Sequence, residues 1–390
     1  MKKIKLWLAR HLSGKHAAVS VSILAIILTL ITAGILLLIM GKNPLVAFLS
    51  FIQGCGLAPK ANYGGGSGML SDLTDFLNYL APMTLASLAF IVGFKAGLFN
   101  IGIAGQMLIS GFTATVLVGY SNLPALPAKI LVVVIGIIVG GLVGALVGFL
   151  KYKFNIHEVV STIMINYIIS YLTGFFINNK FVDMLTRTSR ICSPASRLTL
   201  TNIKIGGVNC KLPFGIVIAI LMAFFVQFIF EKTTFGFELK GVGLNKRCAR
   251  YIGVNVGRSI VASMAFSGIL AGLAGVTYYL GYSNTIIPKT LVGMGYDSIS
   301  VALLGNSSPI GSIFAAIIVA IFQQGANYMS SMIGVAKEIA SLITGILLLY
   351  ASCGGYMQMH ARSTLQRETD LRAQAEKEAS ANSGMKEEEK

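Results

Sequence analysis

Three carboxamide side chains, Asn100, Gln106 and Asn166, stand inside long apolar stretches of the sequence. An amide without a hydrogen-bond partner is costly in hydrocarbon, so each of them must face other protein groups or a watery cavity. Amides donate and accept hydrogen bonds without carrying charge, which suits a neutral polar solute. The alternative for each is a hydrogen bond that joins two helices. We predict that they lie along a solute pathway.

Two acidic residues, Glu158 and Asp297, are further candidates for the pathway. Ionisable residues within membrane segments often mark functional sites. Both residues also lie near the ends of predicted spans, where an acidic side chain at a helix N-terminus is ordinary.

The residue pattern gives no support to an enzyme. No Ser-His-Asp, Cys-His or metal-ligand arrangement appears, and the five cysteines include no C-x-x-C pair. The phosphate-binding pattern G-x-x-x-x-G-K-[ST] is also missing from the sequence. We therefore predict no metal and no cofactor in this chain, and any ATP and Mg must bind to a separate subunit.

The elements that position the candidate residues are apolar segments of membrane-spanning length. Hydrophobic residues make up 55% of the 390 residues, charged residues only 12%, and the mean hydropathy is +0.75. About 20 apolar residues are needed for each crossing. The sequence therefore predicts an all-α transmembrane bundle with ten spans, near residues 17–40, 76–94, 101–120, 129–150, 159–177, 212–230, 260–281, 286–304, 309–329 and 337–355. The eighth span contains Lys289, Gly293 and Asp297, which favours a broken or re-entrant helix.

Small residues recur at helical spacing within the predicted spans. Gly140, Gly144 and Gly148 are four residues apart, as are Gly268 and Gly272. This spacing is typical of helices whose backbones approach closely in a membrane, and we interpret it as packing.

Charge indicates the topology. Placing the N-terminus in the cytoplasm puts most of the 31 Lys and Arg residues on the cytoplasmic side, as the positive-inside rule requires. We read the net charge of +16 in this way, and not as a nucleic-acid surface. The predicted parts are a basic cytoplasmic segment (1–16), a permease domain (17–355) with external loops (41–75 and 178–211) and a cytoplasmic loop (231–258), and a charged cytoplasmic tail (356–390) that is disordered or a frayed helix.

The hydrophilic loop over residues 236–258 is suited to docking a soluble partner. Its core, 245–252, favours a short helix, and glycines close it at both ends. A rigid element of this kind can transmit force from a partner to membrane helices. The alternative is a solvated basic loop that only sets topology.

The sequence of this loop resembles the coupling segment of the permease family that serves ribose, branched-chain amino acid and nucleoside ATP-binding-cassette (ABC) importers. A pattern close to G-x-N-x-x-A-A-x-Y-x-G-I recurs in that segment. The residues assigned here to coupling are Gly243, Asn245, Arg247, Ala249, Arg250, Tyr251 and Gly253. The resemblance implies that they contact the ATPase.

Three more stretches resemble the nucleoside branch of that family. Residues 94–108 are similar to its F-N-I-G-x-x-G-Q signature, with Ala104 where many relatives have glutamate. Residues 157–168 are similar to N-E-V-I-x-T-x-M-x-N-Y-I, which adds Tyr167 to the pathway candidates. Residues 295–311 are similar to G-F-D-G-I-A-V-A-L-L-G-x-x-x-P-x-G.

The resemblance implies an importer-type permease with two pseudo-symmetric halves in the cell membrane. It also implies ABC ATPase subunits that bind ATP and Mg, a second permease subunit that is homologous or identical, an external substrate-binding lipoprotein, and a nucleoside as the solute. Two other functions stay open. One is a permease of the same type for a sugar or a branched-chain amino acid. The other is an ion-gradient-driven transporter, which needs charged residues near the membrane midplane.

Overall fold

The computed structural model describes residues 17–60, 63, 68–205, 208–336 and 338–388. The predicted basic segment and most of the glycine-rich linker at 63–68 lie outside this part. The described helices are α1 Ala17–Ile39, α2 Pro44–Gly54, α3 Met69–Lys95, α4 Ile103–Ala114, α5 Ala125–Phe154, α6 Glu158–Phe176, α7 Phe214–Lys232, α8 Thr234–Leu244, α9 Lys246–Tyr251, α10 Val256–Thr277, α11 Met294–Leu304, α12 Pro309–Ile333, α13 Glu338–Ser352 and α14 Gly354–Glu388. Short π-helical turns extend α4 to Gly119, α6 to Phe181 and α10 to Tyr282. The fold is an all-α membrane bundle, as predicted.

Eight helices within the described residues are long and apolar enough to cross a membrane, where the sequence predicted ten spans. The two surplus spans correspond to α4 with its extension (Ile103–Gly119) and to α11. Seventeen helical residues rise only about 25 Å, less than the hydrocarbon thickness of about 30 Å. For α11, the prediction of a broken segment is confirmed, because Pro288 and Gly293 precede its first turn.

Both predicted external loops contain regular structure that composition did not indicate. The first contains α2, where Asn43 caps the helix by accepting a hydrogen bond from the Leu45 N–H at 2.9 Å. The second contains an antiparallel hairpin, β1 Thr199–Ile205 with β2 Val208–Pro213.

Cys192 and Cys210 in that loop are not joined by a disulfide. Burial raises the pKa of the Cys192 thiol, whose Sγ lies 3.8 Å from Thr115 Oγ1.

The chain divides into two compact units. The terminal unit takes in residues 1–33 and 346–390, of which 17–33 and 346–388 are described. Within it, Val21 and Ala361 are buried together. The tail runs as the helix α14 instead of the disordered or frayed segment that its charge predicted. Its content of Ala, Glu, Gln, Lys and Arg, which are strong helix formers, explains the difference.

The central unit, residues 34–345, contains the candidate site. Among the long apolar helices of the described residues, α3 is the most enclosed. In its apolar 18-residue stretch, 89% of the residues are buried. Helices α7, α10, α11 and α12 all pack against α3.

The predicted glycine contacts join α5 to α10. A Cβ atom added at Gly140 would overlap the Gly268 carbonyl oxygen, and one added at Gly272 would overlap the Gly136 carbonyl oxygen. The two backbones therefore touch, which no larger residue allows. The interpretation of these glycines as packing residues is confirmed.

Candidate functional site

Asn100 organises the turn that precedes α4. It is fully buried, and its Oδ1 accepts a hydrogen bond from the Gly102 N–H at 2.9 Å. Its Nδ2 donates to Ser267 Oγ on α10 at 2.8 Å and to Gln106 Oε1 at 3.2 Å. Ser267 Oγ in turn donates to the Ala89 carbonyl on α3 at 2.6 Å. One amide thus links the start of α4 to two other helices.

Asn166 on α6 makes a similar link to the other side of the same turn. Its Oδ1 accepts from the Gly105 N–H at 2.9 Å, and its Nδ2 donates to the Ile101 carbonyl at 3.1 Å. Only 2% of the residue is exposed. The amide therefore satisfies the Gly105 N–H, which lacks a partner within the first turn of α4, and the carbonyl of the turn that precedes the helix.

The hydrogen bonds of Asn100 and Asn166 therefore join helices. The sequence had left this role open as the alternative to a contact with the solute. Gln106 belongs to the same network, and its Nε2 is buried without a hydrogen-bond partner among the described residues. A solute can reach these groups only if α4 moves relative to α6 and α10. Their place in a solute pathway stays a prediction.

Glu158 and Tyr167 occupy different surroundings on α6. Glu158 lies in the first turn and forms an ion pair with Lys151, whose Nζ is 3.0 Å from Oε2. This is the ordinary role of an acidic residue at a helix N-terminus. Tyr167 is 57% exposed, although the preceding Asn166 is buried. Neither residue joins the amide network.

Asp297, in the first turn of α11, lies among groups that the sequence did not connect with it. Its Oδ2 accepts a hydrogen bond from Gln323 Nε2 on α12 at 3.0 Å. The same Nε2 lies 3.2 Å from Thr344 Oγ1 on α13. In the described part of the chain, Asp297 forms no ion pair. A carboxylate is thus held in the bundle by neutral partners alone.

Aromatic residues from α3 and from the end of α10 connect to this carboxylate through Tyr79. Tyr79 is close enough to Asp297 for the two to interact electrostatically. The rings of Tyr79 and Tyr282 meet edge to face, with centroids 5.2 Å apart. The Tyr282 hydroxyl donates to Gln324 Oε1 at 2.8 Å, and the Tyr278 ring lies 5.7 Å from the Tyr282 ring. We call this group the central cluster: Tyr79, Tyr278, Tyr282, Asp297, Gln323 and Gln324.

Sequence reasoning found only Asp297 among these six residues. A usable signal was present, since Gln323 and Gln324 are adjacent amides in the middle of the predicted span 309–329. The tyrosines carried no signal, because aromatic residues in an apolar span are ordinary packing residues.

Helices α8 and α9, with the residues up to Gly253, form the α8–α9 segment. It contains the short helix predicted over 245–252. Asn245 caps α9, and its Oδ1 accepts from the N–H groups of Arg247 at 2.9 Å and Cys248 at 3.2 Å. Gly253 follows the helix with a φ of +87°, a conformation that favours glycine. The asparagine and glycine of the motif therefore have clear local roles.

One side of the α8–α9 segment packs on the bundle, and the other side is exposed. Ala249 is buried, and the backbone of Gly243 lies directly against Lys95 at the end of α3. Leu244 and Tyr251 are 90% and 92% exposed. Further exposed residues of the segment are Arg247, Arg250 and Ile252. Large side chains left bare outside the apolar spans mark an interaction surface.

Comparison with known proteins identifies the family. Residues 73–352 match the family described as branched-chain amino acid transport system / permease component. The chain belongs to this permease family. The match covers α3 to α13, and so contains the central cluster and the α8–α9 segment. No solved structure matches the chain.

Several relatives of the permease are known by their substrates. The nucleoside ABC transporter permease protein NupB of Lactococcus lactis subsp. cremoris (strain MG1363) is 32% identical over 87% of this chain and 92% of NupB. The guanosine ABC transporter permease protein NupP of Bacillus subtilis (strain 168) is 34% identical over 85% of this chain and 92% of NupP. A second guanosine ABC transporter permease protein of the same strain, NupQ, is 26% identical over 68% of this chain and 84% of NupQ.

Proposed function

We propose that this chain is the membrane-spanning permease subunit of an ABC importer and that it carries nucleosides into the cell by alternating access. The similarity to NupB and NupP, which extends over most of each protein, carries this proposal. The polar and aromatic character of the central cluster supports it, because nucleosides offer flat rings and neutral hydrogen-bonding edges.

The α8–α9 segment is the surface that docks the ATPase. Its exposed Leu244 and Tyr251 are suited to a pocket on a soluble protein, and Arg250 adds a second favoured interface residue type. The sequence lacks a phosphate-binding loop, so ATP and Mg bind to the partner. This assignment requires the segment to lie in the cytoplasm.

The permease works with a second, homologous permease and an external binding lipoprotein. Bacillus subtilis has two proteins named as guanosine ABC transporter permeases, NupP and NupQ, and both resemble this chain. Two related permeases in one bacterium favour a heterodimeric pair here. The external lipoprotein is proposed from the family resemblance of the sequence motifs.

The complex lies in the cell membrane with both termini of this chain in the cytoplasm. An even number of spanning helices returns the chain to its starting side, and the distribution of Lys and Arg favours the cytoplasm for that side. Cysteine-accessibility labelling at position 250 tests this orientation, and labelling from outside the cell would overturn it.

Energy coupling separates this proposal from a gradient-driven carrier. Concentrative nucleoside uptake is measured in cells depleted of ATP whose proton gradient is maintained by respiration. We expect uptake to stop. Continued accumulation would contradict an ATP-driven importer.

A parallel panel of sugars and branched-chain amino acids tests the solute class, because a permease for glucose, TsgB13 of Haloferax volcanii, is also a relative at 24% identity.

A further inference from the structure

The side chains of the central cluster keep some accessible surface on helices that are otherwise enclosed. Tyr79 is partly accessible, although its neighbours Asn78 and Leu80 are each only 4% exposed and α3 is the most enclosed of the eight long apolar helices in the described residues. Tyr278 keeps accessible surface between Thr277 and Tyr279, which are 2% and 3% exposed. The packing of these helices therefore leaves open space beside Tyr79 and Tyr278.

Asp297 presents an unused hydrogen-bond acceptor among the described residues. Within the described part of the chain, its Oδ2 accepts from Gln323, its Oδ1 accepts no hydrogen bond, and no cation pairs with the carboxylate. A neutral amide donor does not balance the charge. An ionisable residue within a membrane bundle is expensive unless it has a use, and the missing partners here are N–H donors.

The aromatic side of the cluster supplies a surface for a flat ring. Tyr79 and Tyr282 are in edge-to-face contact, so the face of at least one ring is not stacked on the other. The Gln324 Oε1 is occupied by the Tyr282 hydroxyl, while its Nε2 donates no hydrogen bond within the described chain. The cluster therefore offers an aromatic ring face, a carboxylate acceptor at Asp297 and an amide donor at Gln324.

We propose that the central cluster binds the nucleobase and that Asp297 selects 6-oxopurines, of which guanine is the best match. Guanine carries two adjacent donors, N1–H and the 2-amino group, beside the O6 acceptor. A carboxylate has acceptors only, so it pairs with such an edge. Adenine instead places the lone pair of N1 against the carboxylate. This inference rests on the proposed function and specifies its solute.

The variant Asp297→Asn tests the selectivity. An asparagine of the same size offers one donor and one acceptor, which suits the edge of adenine. Uptake of guanosine and adenosine is measured in cells that lack their own nucleoside importers and express the complete transporter. Since the binding lipoprotein is unchanged, a changed ratio is due to the permease. We expect the guanosine-to-adenosine ratio to fall about tenfold or more. The matched control Asp183→Asn, in the second loop, should leave the ratio unchanged.

Two outcomes overturn the inference. An unchanged ratio shows that Asp297 does not read the base, and an equal loss of both nucleosides at normal membrane level shows a role in folding or gating. If the wild-type transporter imports nucleosides in the same experiment, the proposed function survives either result. If the wild type imports no nucleoside, the proposed function itself fails.

A second pair of variants keeps the test decisive when Asp297→Asn does not reach the membrane. Tyr79→Phe retains the ring, and Tyr79→Ala removes it. If the base stacks in the cluster, guanosine uptake by the alanine variant should show a KM raised about tenfold or more, while the phenylalanine variant stays near wild type. Similar KM values for both variants would overturn the placement of the base.

Discussion

Gly243 lies where the α8–α9 segment touches α3, and its replacement by alanine should uncouple the partner from the bundle. A Cβ atom there would overlap the Lys95 carbonyl oxygen and lie 3.0 Å from the Gly97 nitrogen, whereas ordinary van der Waals contact begins at 3.4 Å. The obstacles are backbone atoms, so α8 must shift. Overpacking of this kind costs about 1 to 3 kcal/mol. The better helix propensity of alanine offsets about 1 kcal/mol at most.

The chain provides a matched control two residues earlier. A Cβ atom at Gly241, also in α8, meets nothing within 4 Å. Gly241→Ala should therefore be neutral or slightly stabilising. Both variants are purified with the ATPase and reconstituted, and ATP hydrolysis and nucleoside uptake are measured together. We expect Gly243→Ala to keep basal hydrolysis but to lose most solute stimulation and uptake. Equal behaviour of the two variants would refute the mechanical role of this contact.

Three further predictions concern the partner surface, the helix contacts and the amides. Tyr251→Ala should weaken copurification of the ATPase about tenfold or more without lowering the membrane level of the permease, because a bare ring is a favoured interface anchor. Gly140→Leu should remove the permease from the membrane fraction in immunoblots, since the side chain would enter the α10 backbone, whereas the wild type should be retained. Asn166→Ala leaves the Gly105 N–H unpaired, which costs about 1 to 3 kcal/mol. It should lower both uptake and the thermal midpoint in detergent, and unchanged values would show that the bond is dispensable.

Helix α3 joins the central cluster to the α8–α9 segment. Tyr79 belongs to the cluster, and Lys95 at the end of the same helix contacts Gly243. Sixteen residues separate them, a rise of about 24 Å. Pro82 lies inside the helix between the two sites and removes one backbone hydrogen bond there. A single helix therefore runs from the contact with the α8–α9 segment to the central cluster.

The sequence by itself determined the class of protein and most of its helices. Apolar length is a local property, so eight of the ten predicted spans match helices of spanning length, and the glycine spacing indicated close packing although not which helices meet. The short helix α9 was also predictable, because Asn245 as a cap and Gly253 as a terminator act on their own neighbours. Local rules failed at α2 and α4, where composition and length suggested a loop and a span. For the tail, the charge suggested disorder or a frayed helix, whereas α14 is helical.

Only the tertiary structure decided which polar residues belong together. Tyr79, Tyr282 and Gln323 are separated by up to 244 positions, and no periodicity links them. The amides Asn100 and Asn166 looked equally available for a solute, yet the Oδ1 atom of each accepts a hydrogen bond from a backbone N–H group of one turn. A hydrogen bond depends on atoms from distant segments within about 3 Å of each other, and only the packing of the helices fixes that distance.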